Sequence, residues 1–101
     1  MNYIIKYISD NLSNPLTLNN LASLVDMSEG HFCRSFKTYT GKRPMELINE
    51  MRINRAKTIL IYEPEITTAK LSKTVGFDSV SYFIKVFKAK EGKTPKHIQK
   101  K

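Results

Sequence analysis

A chain of 101 residues with 41% hydrophobic side chains suffices for one small domain or two very small subdomains, and it is too short to enclose a large active-site cavity. Seventeen Lys and Arg against nine Asp and Glu give a formal charge of +8, a field that draws polyanions and makes nucleic acid the first partner to consider. No apolar run reaches membrane-span length, the opening MNYIIKYI is broken by Lys6 and has no signal-peptide cleavage pattern, and the single Cys33 leaves packing alone to hold the fold, so the expectation is a cytoplasmic protein without a membrane partner.

In chain order, NYIIKYISDNL sets Ile4, Ile5, Ile8 and Leu12 on one stripe and predicts a first helix, ended by Asn14 and Pro15. In LTLNNLASLV, Thr17 can N-cap a second helix while Leu16 and Leu21 stand at the spacing of a hydrophobic staple. That helix breaks at Val25-Asp26-Met27. A third begins at Ser28, spans 28–40 and stops at Gly41, with Pro44 just beyond. Short helix, tight turn and longer helix form the pattern of a helix-turn-helix.

The segment MELINEMRINRAKTILIYE carries Ile48, Met51, Ala56, Ile59 and Leu60 at helical spacing and predicts a linker helix over 45–63, ended by Pro64. Its length of roughly 27 Å, at 1.5 Å per residue, suits two units held near one DNA turn of ~34 Å apart.

The pattern then returns. In ITTAKLSKTV, Thr67 is the cap and Ile66 and Leu71 the staple, each fifty residues beyond its counterpart. The break falls at Val75-Gly76-Phe77, where Gly76 suits a positive φ, and a second longer helix over 79–91 ends at Gly92 with Pro95 following. Here the offset is fifty-one, so the second copy has one extra turn residue. GHFCRSFKTYTGKRP and SYFIKVFKAKEGKTP are the two versions of one segment. The reading is an all-α chain of about seven helices: two helix-turn-helix subdomains, 1–44 and 64–101, joined by the linker helix 45–63.

Phe32 and Phe36, like Phe83 and Phe87, are four apart and must point inward with Met27 in the first copy. The opposite faces then show Gly30, Cys33, Arg34 and Lys37 in one copy and Ser81, Ile84, Lys85 and Lys88 in the other, with cations and no carboxylate, as a surface against phosphates requires.

LASLVDMSEGHFCRSFK, TGKRP, RINRAKTIL, VGFDSVSYFIKVFK and EGKTP together resemble the DNA-binding domain of the AraC/XylS family of bacterial transcription regulators, over nearly the whole chain. The resemblance implies sequence-specific binding of double-stranded DNA and regulation of transcription, with helices 28–40 and 79–91 in successive major grooves of an asymmetric site. It implies base-reading positions at Gly30, Cys33 and Arg34 and at Val80, Ser81, Ile84 and Lys85. Phosphate contacts fall to Thr17, Ser28, Lys37, Thr67 and Lys88. The expected partners are DNA and RNA polymerase, with the chain a monomer on DNA unless a further domain dimerises it. The chain departs from the family pattern in Thr68, Lys70, Leu71 and Ser72, where I.EIA is usual, and in Lys85, where Arg is frequent.

Other classes fit less well. The sequence has no acid/base pair, Gly-rich phosphate loop or metal cluster, so neither an enzyme nor a cofactor is expected. His31 and His97 have no further ligand at zinc spacing. Arg52 and Arg55 are expected to pair with Glu46 or Glu50 rather than meet DNA. The alternative within DNA binding is a nucleoid-type protein of low specificity, which the apolar Val80 and Ile84 would permit.

Overall fold

The computed structural model describes residues 1–99, and among them there are seven helices and no strand: α1 (Asn2–Asp10), α2 (Leu18–Leu24), α3 (Glu29–Thr40), α4 (Pro44–Tyr62), α5 (Thr68–Val75), α6 (Val80–Glu91) and α7 (Pro95–Gln99). The chain forms two compact units, Met1–Asn49 and the part from Glu50 onward, with the division inside α4.

In the first unit α1 supplies Ile4 and Ile8, and the turn after it supplies Leu12. These are buried, as are Leu16, Leu21, Ala22, Phe32, Phe36 and Ile48. The Phe32 and Phe36 rings pack against each other with centroids 5.6 Å apart. Tyr39 near the end of α3 donates its hydroxyl hydrogen to Asn2 Oδ1 at 2.6 Å, tying α3 to α1. Truncating either phenylalanine to Ala would cost about 3–5 kcal/mol, a large part of the stability of so small a unit. The first helix is shorter than its apolar pattern. It stops at Asp10 because Asn11 turns its own amide onto the Tyr7 carbonyl at 2.8 Å, offering the chain an alternative to another helical turn.

The second unit gathers Ile53, Ala56, Leu60, Ile66, Leu71, Val75, Phe77, Phe83 and Phe87 into one cluster, flanked by Ile59, Ile84, Val86 and Ile98. Leu16 and Ile66, the expected staple residues, are buried along with Leu21 and Leu71. Each longer helix ends on a left-handed glycine: Gly41 at φ 82° bonds back to the Lys37 carbonyl, and Gly92 at φ 79° to that of Lys88. An added Cβ would meet nothing within 4 Å at either place, so the requirement for glycine is one of backbone conformation alone. Pro44 and Pro95 are buried and open α4 and α7, first positions where a missing N–H costs nothing.

Candidate nucleic-acid interface

Helices α3 and α6 are cut to one length by the same local chemistry. Ser28 Oγ accepts the His31 N–H at 3.2 Å and Ser79 Oγ accepts the Tyr82 N–H at 3.1 Å, and twelve residues follow each cap before the closing glycine. The shorter helices start in the same way, with Thr17 Oγ1 accepting from Asn20 N and Thr67 Oγ1 from Lys70 N, both at 3.1 Å. A hydroxyl that accepts still has its own hydrogen to donate, so capping leaves Thr17, Ser28 and Thr67 able to bond a phosphate oxygen.

The phenylalanine pairs fix which face turns outward. Arg34 and Lys37 on α3 are exposed together with Gly30, and Lys85 and Lys88 on α6 together with Val80 and Ser81. Cys33 and Ile84 lie differently from the others. Each is half-buried, and Ile84 packs partly against the core of its unit. Gly30 leaves room beside Arg34, whose Nη1 is 3.4 Å from where a Cβ on Gly30 would stand.

The carboxylates of these helices are occupied within the protein. Glu29 Oε2 accepts from Asn19 Nδ2 at 3.4 Å, and Glu91 forms an ion pair with Lys57 of α4 at 3.1 Å. The exposed cations Arg34 and Lys37 outnumber the single carboxylate of α3, and Lys85, Lys88 and Lys90 stand against one acid of α6 that Lys57 pairs. No group of three or more His, Cys, Asp or Glu residues suited to a metal ion occurs among the described residues. Nor is any helix there long and apolar enough to cross a membrane.

The arginines of α4 are engaged within the protein. The Arg52 guanidinium lies 5.6 Å from the centroid of the Phe77 ring, and burial lowers its pKa while the charge of Asp78 opposes that shift. Glu46 accepts the Arg43 N–H at 3.3 Å and so helps start α4. Asp78, which by residue type could also cap this helix, is the extra residue of the second turn, and Ser79 is the cap.

A family model described as "Helix-turn-helix domain" matches residues 21–101. The bifunctional transcriptional activator/DNA repair enzyme AdaA of Bacillus subtilis is 36% identical over 92 residues, which are 91% of this chain and 43% of AdaA. A transcriptional regulator of Chromobacterium violaceum, described as an AraC-type DNA-binding domain-containing protein, is 25% identical with a TM-score of 0.80, over 96% of this chain and 86% of that one. The chain belongs to the AraC/XylS family. Another structure, the C-terminal domain of the two-component response regulator yesN from Fusobacterium nucleatum, is 28% identical with a TM-score of 0.89, over 97% of this chain and 95% of that one. The AraC-type domain described here spans less than half the length of AdaA.

Proposed function

We propose that this AraC-type domain binds double-stranded DNA sequence-specifically and regulates transcription, with α3 and α6 entering successive major grooves of a site whose two half-elements differ. The observation that carries this reading is the pair of matched outward faces. Each stands on a twelve-residue helix between a serine cap and a left-handed glycine, each shows cations, and the carboxylate of each helix is engaged elsewhere in the protein.

In this reading Arg34 takes a guanine through O6 and N7, with Gly30 allowing close backbone approach and Cys33 at the edge of the contact. Lys85 and Ser81 supply the polar reading of the second helix, while Val80 and Ile84 suit a thymine methyl. Thr17, Ser28, Lys37, Thr67 and Lys88 hold phosphates and set register. The chain acts as a monomer on DNA, since both recognition helices are on one polypeptide in fixed order. RNA polymerase is the second partner, the site of action is the cytoplasm, and neither catalysis nor a cofactor is involved.

Selection of bound sites from random duplex tests the proposal. The expected result is one asymmetric motif with two separated blocks of preferred bases. A palindrome needing two chains would refute the monomeric arrangement. Equal affinity for selected and random duplex would favour a nucleoid-type protein, the reading that the apolar Val80 and Ile84 make worth testing.

A further inference from the structure

The two units are built alike, which makes their differences informative. In the first, the buried residues Ile4, Ile8 and Leu12 follow one another at four-residue steps; in α4, Arg52, Ala56 and Leu60 do the same, and all are buried. The three of α1 and its following turn are all apolar, whereas those of α4 include an arginine that is only 6% exposed. The second difference is an insertion. Met27 alone separates Asp26 from the cap Ser28, whereas Phe77 and Asp78 separate Gly76 from the cap Ser79.

These two differences meet in space. The Arg52 guanidinium packs 5.6 Å from the Phe77 ring centroid, and the next residue is Asp78, whose charge acts on it. Phe77 in turn packs on Phe83 at 5.1 Å and on Tyr82 at 5.9 Å, both near the start of α6. A line of contact therefore runs from α4, through the inserted turn, to the beginning of the second recognition helix.

A buried guanidinium is a costly way to fill a core position. Burial lowers its pKa against the charge of Asp78, and hydrophobic residues of similar volume in place of a buried ion pair are often as stabilising or more so. The buried stripe of α1 is wholly apolar. Asp78 supplies a reason for the arginine: a carboxylate beside the first turn of a helix that approaches DNA repels phosphates unless a cation offsets it.

We propose that Arg52 is a positioning residue for α6, holding the Phe77–Asp78 turn so that the second recognition helix starts in a fixed direction, and offsetting the charge of Asp78. The part concerning DNA rests on the function proposed above; the part concerning the turn does not.

The test uses Arg52→Met, Arg52→Lys and Asp78→Asn in the full chain, read by thermal unfolding, amide hydrogen exchange and affinity for the selected duplex and for versions altered in either half-element. Arg52→Met is expected to remain folded with an unfolding temperature no lower than the parent, and to speed exchange at Tyr82 and Phe83 about fivefold while His31 and Phe32 are unchanged. Its affinity falls about tenfold, with base preference relaxed only in the half-element read by α6. Arg52→Lys, which keeps the charge and loses the planar group over Phe77, is intermediate in both readouts. Asp78→Asn combined with Arg52→Met is no worse than Arg52→Met alone, because the two residues act through one turn.

Unchanged exchange at Tyr82 and Phe83 in Arg52→Met would overturn the positioning role whatever the DNA result. Should Arg52→Met unfold, Arg52→Lys with parental exchange and parental base preference would overturn it equally. Failure of the parent chain to bind any duplex would instead sink the function proposed above, with the exchange measurement still deciding the role of Arg52.

Discussion

Asp26 and Gly76 stand fifty positions apart in sequence and at one and the same point of two turns. Both have positive φ, 54° and 104°, and both send their N–H back three residues, to Ser23 at 3.2 Å and Lys73 at 3.1 Å. The following N–H, of Met27 or Phe77, reaches back five residues to Ala22 or Ser72 at 3.0 Å. This double hydrogen bond is the Schellman motif, and it turns the chain sharply between α2 and α3 in one unit and between α5 and α6 in the other.

Gly76→Ala is therefore expected to destabilise the second unit by about 1–2 kcal/mol, the cost of holding an L-residue in the left-handed region. Gly76→Asp, which copies the first unit, should lose less, because a short polar side chain tolerates that conformation better. Urea unfolding of the two variants measures the difference. An alanine variant as stable as the parent would contradict the assignment.

Ser72 offers an adjacent test. Its hydroxyl oxygen is buried without a hydrogen-bond partner, and the first unit has Ala22 at the matching position. Ser72→Ala should raise stability by about 1 kcal/mol, through loss of an unsatisfied polar atom and a better helix former. The expected observation is a higher urea midpoint at unchanged slope; a lower midpoint would mean that the hydroxyl has a partner in solution.

Gly30 separates stability from recognition. It sits exposed in the first turn of α3, and a Cβ there would touch only the movable end of Arg34, at 3.4 Å. Gly30→Ala is expected to stabilise the helix by about 0.5–1 kcal/mol, as alanine does over glycine in helices. Affinity for the selected duplex should nevertheless fall, since in the proposed binding mode the methyl group occupies the space through which the backbone nears the bases. Parallel melting and binding curves check both halves; a variant with higher affinity would remove Gly30 from the reading face.

Much of this architecture is legible because it is written in local chemistry. Thr17, Ser28, Thr67, Gly41 and Gly92 each act within four residues of themselves, so their types announce the caps without knowledge of the rest of the chain. The half-burial of Cys33 and Ile84 was less accessible. At 100° per residue both fall on the flank between the inward phenylalanines and the outward cations, where the depth of the neighbouring helices decides exposure. Arg52 was beyond reach for a different reason. Its ring partner Phe77 is twenty-five residues away, and charge pairing on its own helix was the only arrangement that spacing could suggest.

Charge and base reading are expected to divide between the two units. The first 63 residues hold eight Lys and Arg against six acids, a balance of +2, and the remainder nine Lys against three acids, a balance of +6. Arg34→Ala should cost ~1–3 kcal/mol on the selected duplex and relax preference at one or two base pairs, whereas Lys88→Ala should weaken all duplexes alike and lower the salt slope by about one. Salt titrations of both variants on selected and random duplex provide the measurement. If Arg34→Ala preserved the ratio of the two affinities while Lys85→Ala abolished it, the division would be reversed.

The common frame of α3 and α6 makes each a replaceable cassette. Twelve residues lie between a serine and a glycine in both, and both anchor through phenylalanines at the fourth and eighth places after the cap. Transplanting 29–40 into the place of 80–91, and the reverse, would preserve both caps and both closing glycines, while giving up the Tyr39–Asn2 and Lys57–Glu91 contacts and setting Cys33 and Ser35 where Ile84 and Val86 now pack. With both helices reading bases as proposed, such an exchange would transpose the order in which the chain spells its target. The duplication thus supplies a grammar of two interchangeable words, in which a new binding site can arise by rearrangement before any side chain is altered.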